Sequence, residues 1–293
     1  CMNAINITLH FLFINVPRTL RIFGLSVPVW GAGLGVTGAA IATATAYVAG
    51  GIMMACAAYR SRELGLRGQK LRHDREILRQ CVRIGMPIAA ERVGACLGQV
   101  VFTSLIARLG TISVAAHSIA ITAEQAFYIP GYGMQAAAAT LSGHSAGARD
   151  EHKLIQYSST ITAIAVTLMG TLAILLFCFP AFMMRLFTPD PDVIALGAQV
   201  LRIVAVSEPF FAVVIILEGT FNGIGETKIP FFISIAAMWG VRIVFSWLCV
   251  CVFHLHLASV WICMVADNLT RFACLLLWYA KGSWRKKLAS MRQ

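Results

Sequence analysis

Charge is scarce in this sequence. Asp, Glu, Lys and Arg make up 13% of its 293 residues, about half the share in a soluble domain. Hydrophobic residues reach 58% and mean hydropathy is +0.76, so a water-surrounded fold would expose apolar patches and aggregate. Acid is scarcer than base, 13 against 24, for a formal charge of +11. That excess is not a nucleic-acid footprint, because the basic residues lie between apolar runs and at the carboxy terminus, as in membrane proteins. A Walker P-loop and an H-E-x-x-H helix are absent. No group of catalytic His, Asp or Cys gathers near one end of the runs, so the chain is not read as an enzyme. Nine cysteines show no C-x-x-C spacing; most fall in apolar runs and read as small buried hydrophobes. His254 and His256 are two apart at a helix end with no acid nearby, a poor metal site. No metal or cofactor is expected. The chain opens at Cys1 inside an apolar run, with no signal peptide ahead of it, and reads as lacking its true amino terminus.

What is present is a series of long apolar runs. They reach the length of about 20 residues that a membrane-spanning helix needs, and barrel-type alternation is missing. Eight spans are expected, at 3–28, 34–59, 77–108, 113–144, 154–187, 193–222, 229–254 and 258–280. Loop charge orients them. Residues 60–79 hold Arg60, Arg62, Arg67, Lys70, Arg72, Arg75 and Arg79; later come Arg149 and Lys153, then Lys228, then Lys281, Arg285, Lys286, Lys287 and Arg292. With eight spans these all fall on one side, the cytoplasmic one, and the opposite loops are nearly free of Lys and Arg. The carboxy terminus is therefore expected in the cytoplasm and the protein in the plasma (inner) membrane.

Arg18 and Arg21 depart from this pattern, and an internal repeat accounts for one of them. A gapless shift of 221 residues puts Leu20-Arg21-Ile22 on Val241-Arg242-Ile243, Ile41 on Ile262 and Arg60 on Lys281. A six-helix unit duplicated in parallel, a known transporter plan, gives that offset. It implies twelve spans, of which four precede this chain.

Charges inside spans are costly and face a cavity, a pathway or a partner. Glu91 lies mid-span, four residues after Pro87. Glu124 lies beside Gln125, ahead of Pro130-Gly131-Tyr132-Gly133. Proline removes a helix hydrogen bond and glycine permits bending, so kinks are expected at Pro87 and at Pro130, Gly131 and Gly133. Glu91, Glu124, Gln125 and Tyr132 are the candidates for cation coupling and cargo; structural pairing with a nearby arginine is the competing role. Arg242, Asp267 and Arg271 read as an intramembrane ion pair that could also act as a protonation switch. Glu218, near the cytoplasmic end, is expected to reach out toward water.

Several short stretches resemble the multidrug and toxic compound extrusion (MATE) family. They are Leu109-Gly110-Thr111, Ala115-Ala116-His117, Pro130-Gly131-Tyr132-Gly133, Ala146-Gly147-Ala148, Gly35 to Thr43, Gly219 through Gly223-Ile224-Gly225-Glu226-Thr227, and Gly282-Ser283-Trp284-Arg285-Lys286. The resemblance implies an all-α, two-lobed, twelve-helix membrane fold with about eight helices present. Residues 1–60 would be the last two helices of the amino-terminal lobe, 61–76 a basic inter-lobe loop, 77–281 the six-helix carboxy-terminal lobe and 282–293 a basic tail. It also implies a monomeric antiporter that exchanges Na⁺ or H⁺ for small organic cations by alternating access, with Glu91 on the seventh helix and Glu124 on the eighth. A related flippase for a lipid-linked glycan and an inactive fragment are the alternatives.

Overall fold

The computed structural model describes the backbone of residues 2–22, 25–29, 31–61, 74–282 and 284–285, with side chains from 18 to 29 left aside. Contacts divide it into two units, Cys1–Asp74 and Arg75–Gln293. Most of the expected basic loop at 61–76 and of the tail at 282–293 lies outside the described residues.

Pro17 shapes the first unit. Proline lacks an amide hydrogen and turns the residue before it away from helix, and α1 (Met2–Ile14) ends just ahead of it. An antiparallel hairpin of β1 (Arg18–Ile22) and β2 (Leu25–Val29) follows, with Arg18 opposite Val29. The span expected at 3–28 is therefore part helix and part hairpin. Thr19, Ile22, Val27 and Val29, all β-branched, suit the extended form. The repeat fails locally here, because Arg21 lies in a strand and Arg242 in a π-helical turn. Its second half holds: α2 (Gly35–Arg60) and α11 (Leu257–Ala280) keep the offset to within a residue or so. α1 packs on α2, where His10 and Thr43 meet at 3.1 Å.

The second unit is a helical bundle of α3 (Arg75–Ala107), α4 (Thr111–Gly147), α5 (Glu151–Cys178), α6 (Pro180–Arg185), α7 (Pro191–Ala205), α8 (Glu208–Gly223), α9 (Lys228–Ala236), α10 (Val244–Trp247) and α11. Among the described residues, five helices are long and apolar enough to cross a membrane: α2, α3, α5, the run Lys228–Val252 and α11. The pair α7 and α8, bent by 56°, makes a sixth. α4 is longer than any of them, at 37 residues, but His117, Glu124 and Gln125 dilute its hydropathy. α1, at 13 residues, reaches only about 20 Å.

Two apolar clusters mark the two ends of the bundle. One joins Val193, Met184 and Leu257 with Leu109 and Val114; the other joins Ala146, Leu154, Ile224 and Trp284. The turns that carry few basic residues thus share one end, and the basic turns share the other. Arg285 confirms the second grouping by pairing with Glu151 at 2.8 Å, from the chain's tail to the start of α5. Asp150 caps α5 there. Its Oδ1 accepts from the Lys153 backbone N–H at 3.0 Å, which holds its carboxyl below the usual carboxylate range.

Helix interruptions also follow proline, including Pro209, where Glu208-Pro209 reads as the start of a kink. By contrast, α3 and α4 continue through Pro87 and Pro130 as single helices. The break comes between Ala205 and Glu208, ahead of Pro209. The span expected at 154–187 also divides, at Pro180. Lys228–Val252 contains two π-helical segments, Ala237–Ile243 and Leu248–Val252. The cysteines are a further correction: Cys56, Cys81, Cys96, Cys178 and Cys274 are exposed and only Cys263 is buried among those described.

Candidate functional site

Tight backbone packing sets the floor of the site. Gly219 and Gly223, one turn apart on α8, face the α4 backbone. A Cβ on Gly219 would sit 2.5 Å from the Gln135 carbonyl oxygen, and one on Gly223 would meet that of Ala139. Small residues at this spacing let helices approach closely, which gives the glycine-rich stretch after Glu218 its physical meaning. Gly225 ends the run with φ of +74°, a left-handed turn that favours glycine.

Above that contact two cavities open inside the second unit. One, of about 420 Å³, is lined by Glu124, Gln125, Tyr128, Gln99, Asn268 and Arg242, with Arg92, Tyr132, Phe211 and Arg271. The other, of about 630 Å³, is lined by Glu91, Gln135, Glu218 and Asn222, again with Arg92, Tyr132, Phe211 and Arg271. The last four residues, with Ala95, form the shared wall. Tyr128 contributes to it by meeting Tyr132 edge-on at 5.6 Å and Phe211 at 5.9 Å.

Behind the wall lies a buried charge knot. Asp267 is fully buried; it accepts from Arg242 Nη2 at 2.7 Å and from Arg271 Nε at 3.0 Å. Arg271 also donates Nη2 to Oδ2 at 3.3 Å, making its grip two-pronged. Arg242 stands in the π-helical turn, a device that often marks functional positions, and its guanidinium lies 5.7 Å from the Phe102 ring centre. Asn268 links Arg242 to Ser207 at the helix break, at 3.5 and 3.4 Å.

The candidate residues thus sort clearly. Glu124, Gln125, Tyr132, Arg242 and Arg271 meet at the first cavity, and Glu91 joins Tyr132 and Arg271 at the second. Asp267 is the anchor of both arginines and lines neither. Pro87, Pro130, Gly131 and Gly133 also line neither; Gly131 packs against Met169. Glu218 corrects an expectation. It does not reach for water but turns inward, accepting from Ser234 Oγ at 3.2 Å and from Gln135 Nε2 at 3.4 Å. Gln135 and Ser234 are the residues that sequence reading passes over: Gln135 shares a helical face with Glu124, eleven residues before it, and nothing in the sequence marks Ser234, which reaches Glu218 from another helix. Glu208, buried at the start of α8, lies outside both cavities. His117 packs edge-on between Phe102 and Trp261, in the apolar core.

One motif that sequence reading passes over is excluded by its setting. Gly143-His144-Ser145-Ala146-Gly147 has the G-x-S-x-G spacing of a nucleophile elbow, which requires a strand-to-helix turn. Here it lies within α4, and Ser145 Oγ is spent on the Leu141 carbonyl at 2.9 Å.

Comparison with known proteins follows the same outline. A family model described as MatE matches residues 87–248, more than half of the chain. The "Probable multidrug resistance protein NorM" of Thermotoga maritima is 26% identical over 260 residues, covering 89% of this chain and 56% of that protein. The "Uncharacterized transporter YisQ" of Bacillus subtilis is 25% identical over 292 residues, covering 98% and 60%. A solved MOP superfamily transporter from Pyrococcus furiosus superposes with a TM-score of 0.83 at 22% identity, over 100% of this chain and 62% of that one, a likeness of fold. The chain spans less than two thirds of the length of each of these.

Proposed function

Because this multi-pass membrane chain belongs to the MatE family, we propose that its protein exports small organic cations in exchange for Na⁺ or H⁺, by alternating access. Residues 1–60 are assigned to the amino-terminal lobe and 77–281 to the carboxy-terminal lobe, with the basic ends in the cytoplasm and the protein a monomer in the plasma membrane. The proposed work is transport, and no catalytic step is assigned.

One observation carries this reading: the charge balance of the paired cavities. Three acids line them, Glu91, Glu124 and Glu218, and none is in a salt bridge among the described residues. Two of the three lining arginines, Arg242 and Arg271, are committed to Asp267. Asp267 offsets only one of the two, so four carboxylates stand against three guanidiniums, a balance of one negative charge beside a wall of Tyr128, Tyr132 and Phe211. Cationic, aromatic cargo fits such a surface by charge and by cation–π contact. A glycan-pyrophosphate cargo would need the opposite balance.

The test is efflux of a fluorescent cationic dye from a drug-sensitive host expressing the gene that carries this chain. Wild type, Glu91→Gln and Glu124→Gln are compared with and without an imposed Na⁺ or H⁺ gradient. Gradient-dependent efflux that either substitution abolishes supports the reading. A well-expressed wild type that moves no cationic dye refutes it.

A further inference from the structure

α3 is too long for the membrane it enters. Its 33 residues rise about 50 Å, against a hydrocarbon core of about 30 Å. The sequence decides which end stands outside: Arg75, Glu76, Arg79, Gln80 and Arg83 take five of the first nine positions, and no charge follows until Glu91. Those first turns therefore lie at headgroup depth.

Arg75, Arg79 and Arg83 are spaced by four, so they form one row along the helix. All three are exposed, and none is in a salt bridge among the described residues. Glu76 and Gln80 lie beside them on the same stretch of helix surface. Three guanidiniums against one carboxylate leave the row positive. Three- and four-residue steps carry the same face on through Met86, Ala90, Val93 and Leu97, all apolar and exposed, with Met86 at 62% and Val93 at 60%. The side chains that α3 sends to the acid-lined cavities, such as Glu91 and Ala95, lie on the other side of the helix.

We propose that this face of α3 binds an anionic phospholipid, its phosphate on Arg75, Arg79 and Arg83 and an acyl chain along Met86, Ala90, Val93 and Leu97. The guanidinium fork matches phosphate oxygens in pairs, and basic residues at a bilayer surface each strengthen anionic-lipid binding by about fivefold. The apolar row beneath the arginines sets the source of the phosphate: a soluble anion has no use for it, and a lipid covers it. The site stands apart from the proposed cargo cavities and does not depend on the transport reading.

Native mass spectrometry of the detergent-purified protein expressed from the gene that carries this chain, given equal phosphatidylglycerol and phosphatidylcholine, tests this. Wild type is expected to retain phosphatidylglycerol in preference, and the preference to weaken with salt. The triple variant Arg75→Gln, Arg79→Gln, Arg83→Gln is expected to lose it by at least about tenfold. The corresponding triple lysine variant, which keeps the charge, is expected to retain most of it and controls for folding. Equal retention of both lipids by wild type overturns the proposal. So does undiminished phosphatidylglycerol on the triple glutamine variant, and so does displacement by inorganic phosphate at equal concentration, which would mark a site for a free anion.

Discussion

Asp267 holds Arg242 at 2.7 Å from the facing span and Arg271 at 3.0 Å from one turn along its own helix. The carboxylate is fully buried and its partners reach it from the cavity wall, so Asp267 depends on the two arginines and not on water. Removing one member of a buried pair leaves the rest uncompensated, at a cost of about 3–5 kcal/mol. Asp267→Ala, which strands two arginines, is expected to lower the melting temperature in detergent sharply. Arg271→Gln, which leaves the Arg242–Asp267 contact standing, is expected to cost less. Melting of Asp267→Ala at the wild-type temperature would show that the knot contributes nothing to stability.

Glu218 accepts two side-chain hydrogen bonds and lines the same cavity as Glu91. If that cavity receives a cation, both carboxylates act on it. A hydrogen-bonded charge is worth about 1.5–3 kcal/mol, which is about tenfold or more in affinity. Glu218→Gln is therefore expected to raise the half-saturating dye concentration as Glu91→Gln does. Glu208→Gln, outside both cavities, is expected to leave it unchanged. Dye-concentration series on the three variants decide the matter, and an unaffected Glu218→Gln would remove that residue from the site.

Most of the architecture was legible because hydropathy and loop charge speak for whole helices. Seven of the eight expected spans have helical counterparts at nearly the expected limits. The first failed because Pro17 and a β-branched stretch turned an apolar run into a hairpin, and run length alone cannot distinguish the two. The intramembrane charges were legible as anomalies, and Arg242, Asp267 and Arg271 do meet. Direction was not legible. Glu218 sits near a helix end, where snorkelling and inward hydrogen bonding look alike until Ser234 and Gln135 are placed. The π-helical turn that presents Arg242 leaves no mark in hydropathy.

Trp284 and Arg285 are neighbours with unequal roles. Trp284 is 2% exposed, stacks on Tyr279 at 5.8 Å and donates Nε1 to the Tyr279 carbonyl at 3.1 Å. Arg285 reaches Glu151, but both side chains are about half exposed, and such pairs contribute about 0–1 kcal/mol. Trp284→Ala empties part of an apolar cluster and is expected to cost about 3 kcal/mol or more; Arg285→Ala is expected to fall within the smaller range. Thermal melts of the two variants check the ranking, and the reverse order would mean that the ion pair, not the indole, fastens the tail.

Gly223 and Gly133 make the sharpest comparison, since both are helical glycines and the same substitution should act in opposite directions. A Cβ on Gly223 would press on the Ala139 backbone carbonyl, whereas one on Gly133 would meet nothing within 4 Å. Backbone cannot swing aside as a side chain can, so Gly223→Ala must part α4 from α8. Overpacking of this kind costs about 1–3 kcal/mol, and the strain falls on the helices that carry Gln135 and Glu218. Gly133→Ala adds no clash and gains about 0.5–1 kcal/mol of helix preference, unless flexing at this position is needed for transport. Melting and dye efflux are therefore measured together. Gly223→Ala is expected to lose both stability and efflux. A Gly133→Ala protein that melts higher yet transports less would locate a working hinge beside Pro130. One that melts higher and transports normally would assign the Pro130-Gly131-Tyr132-Gly133 stretch to packing and to the cavity wall.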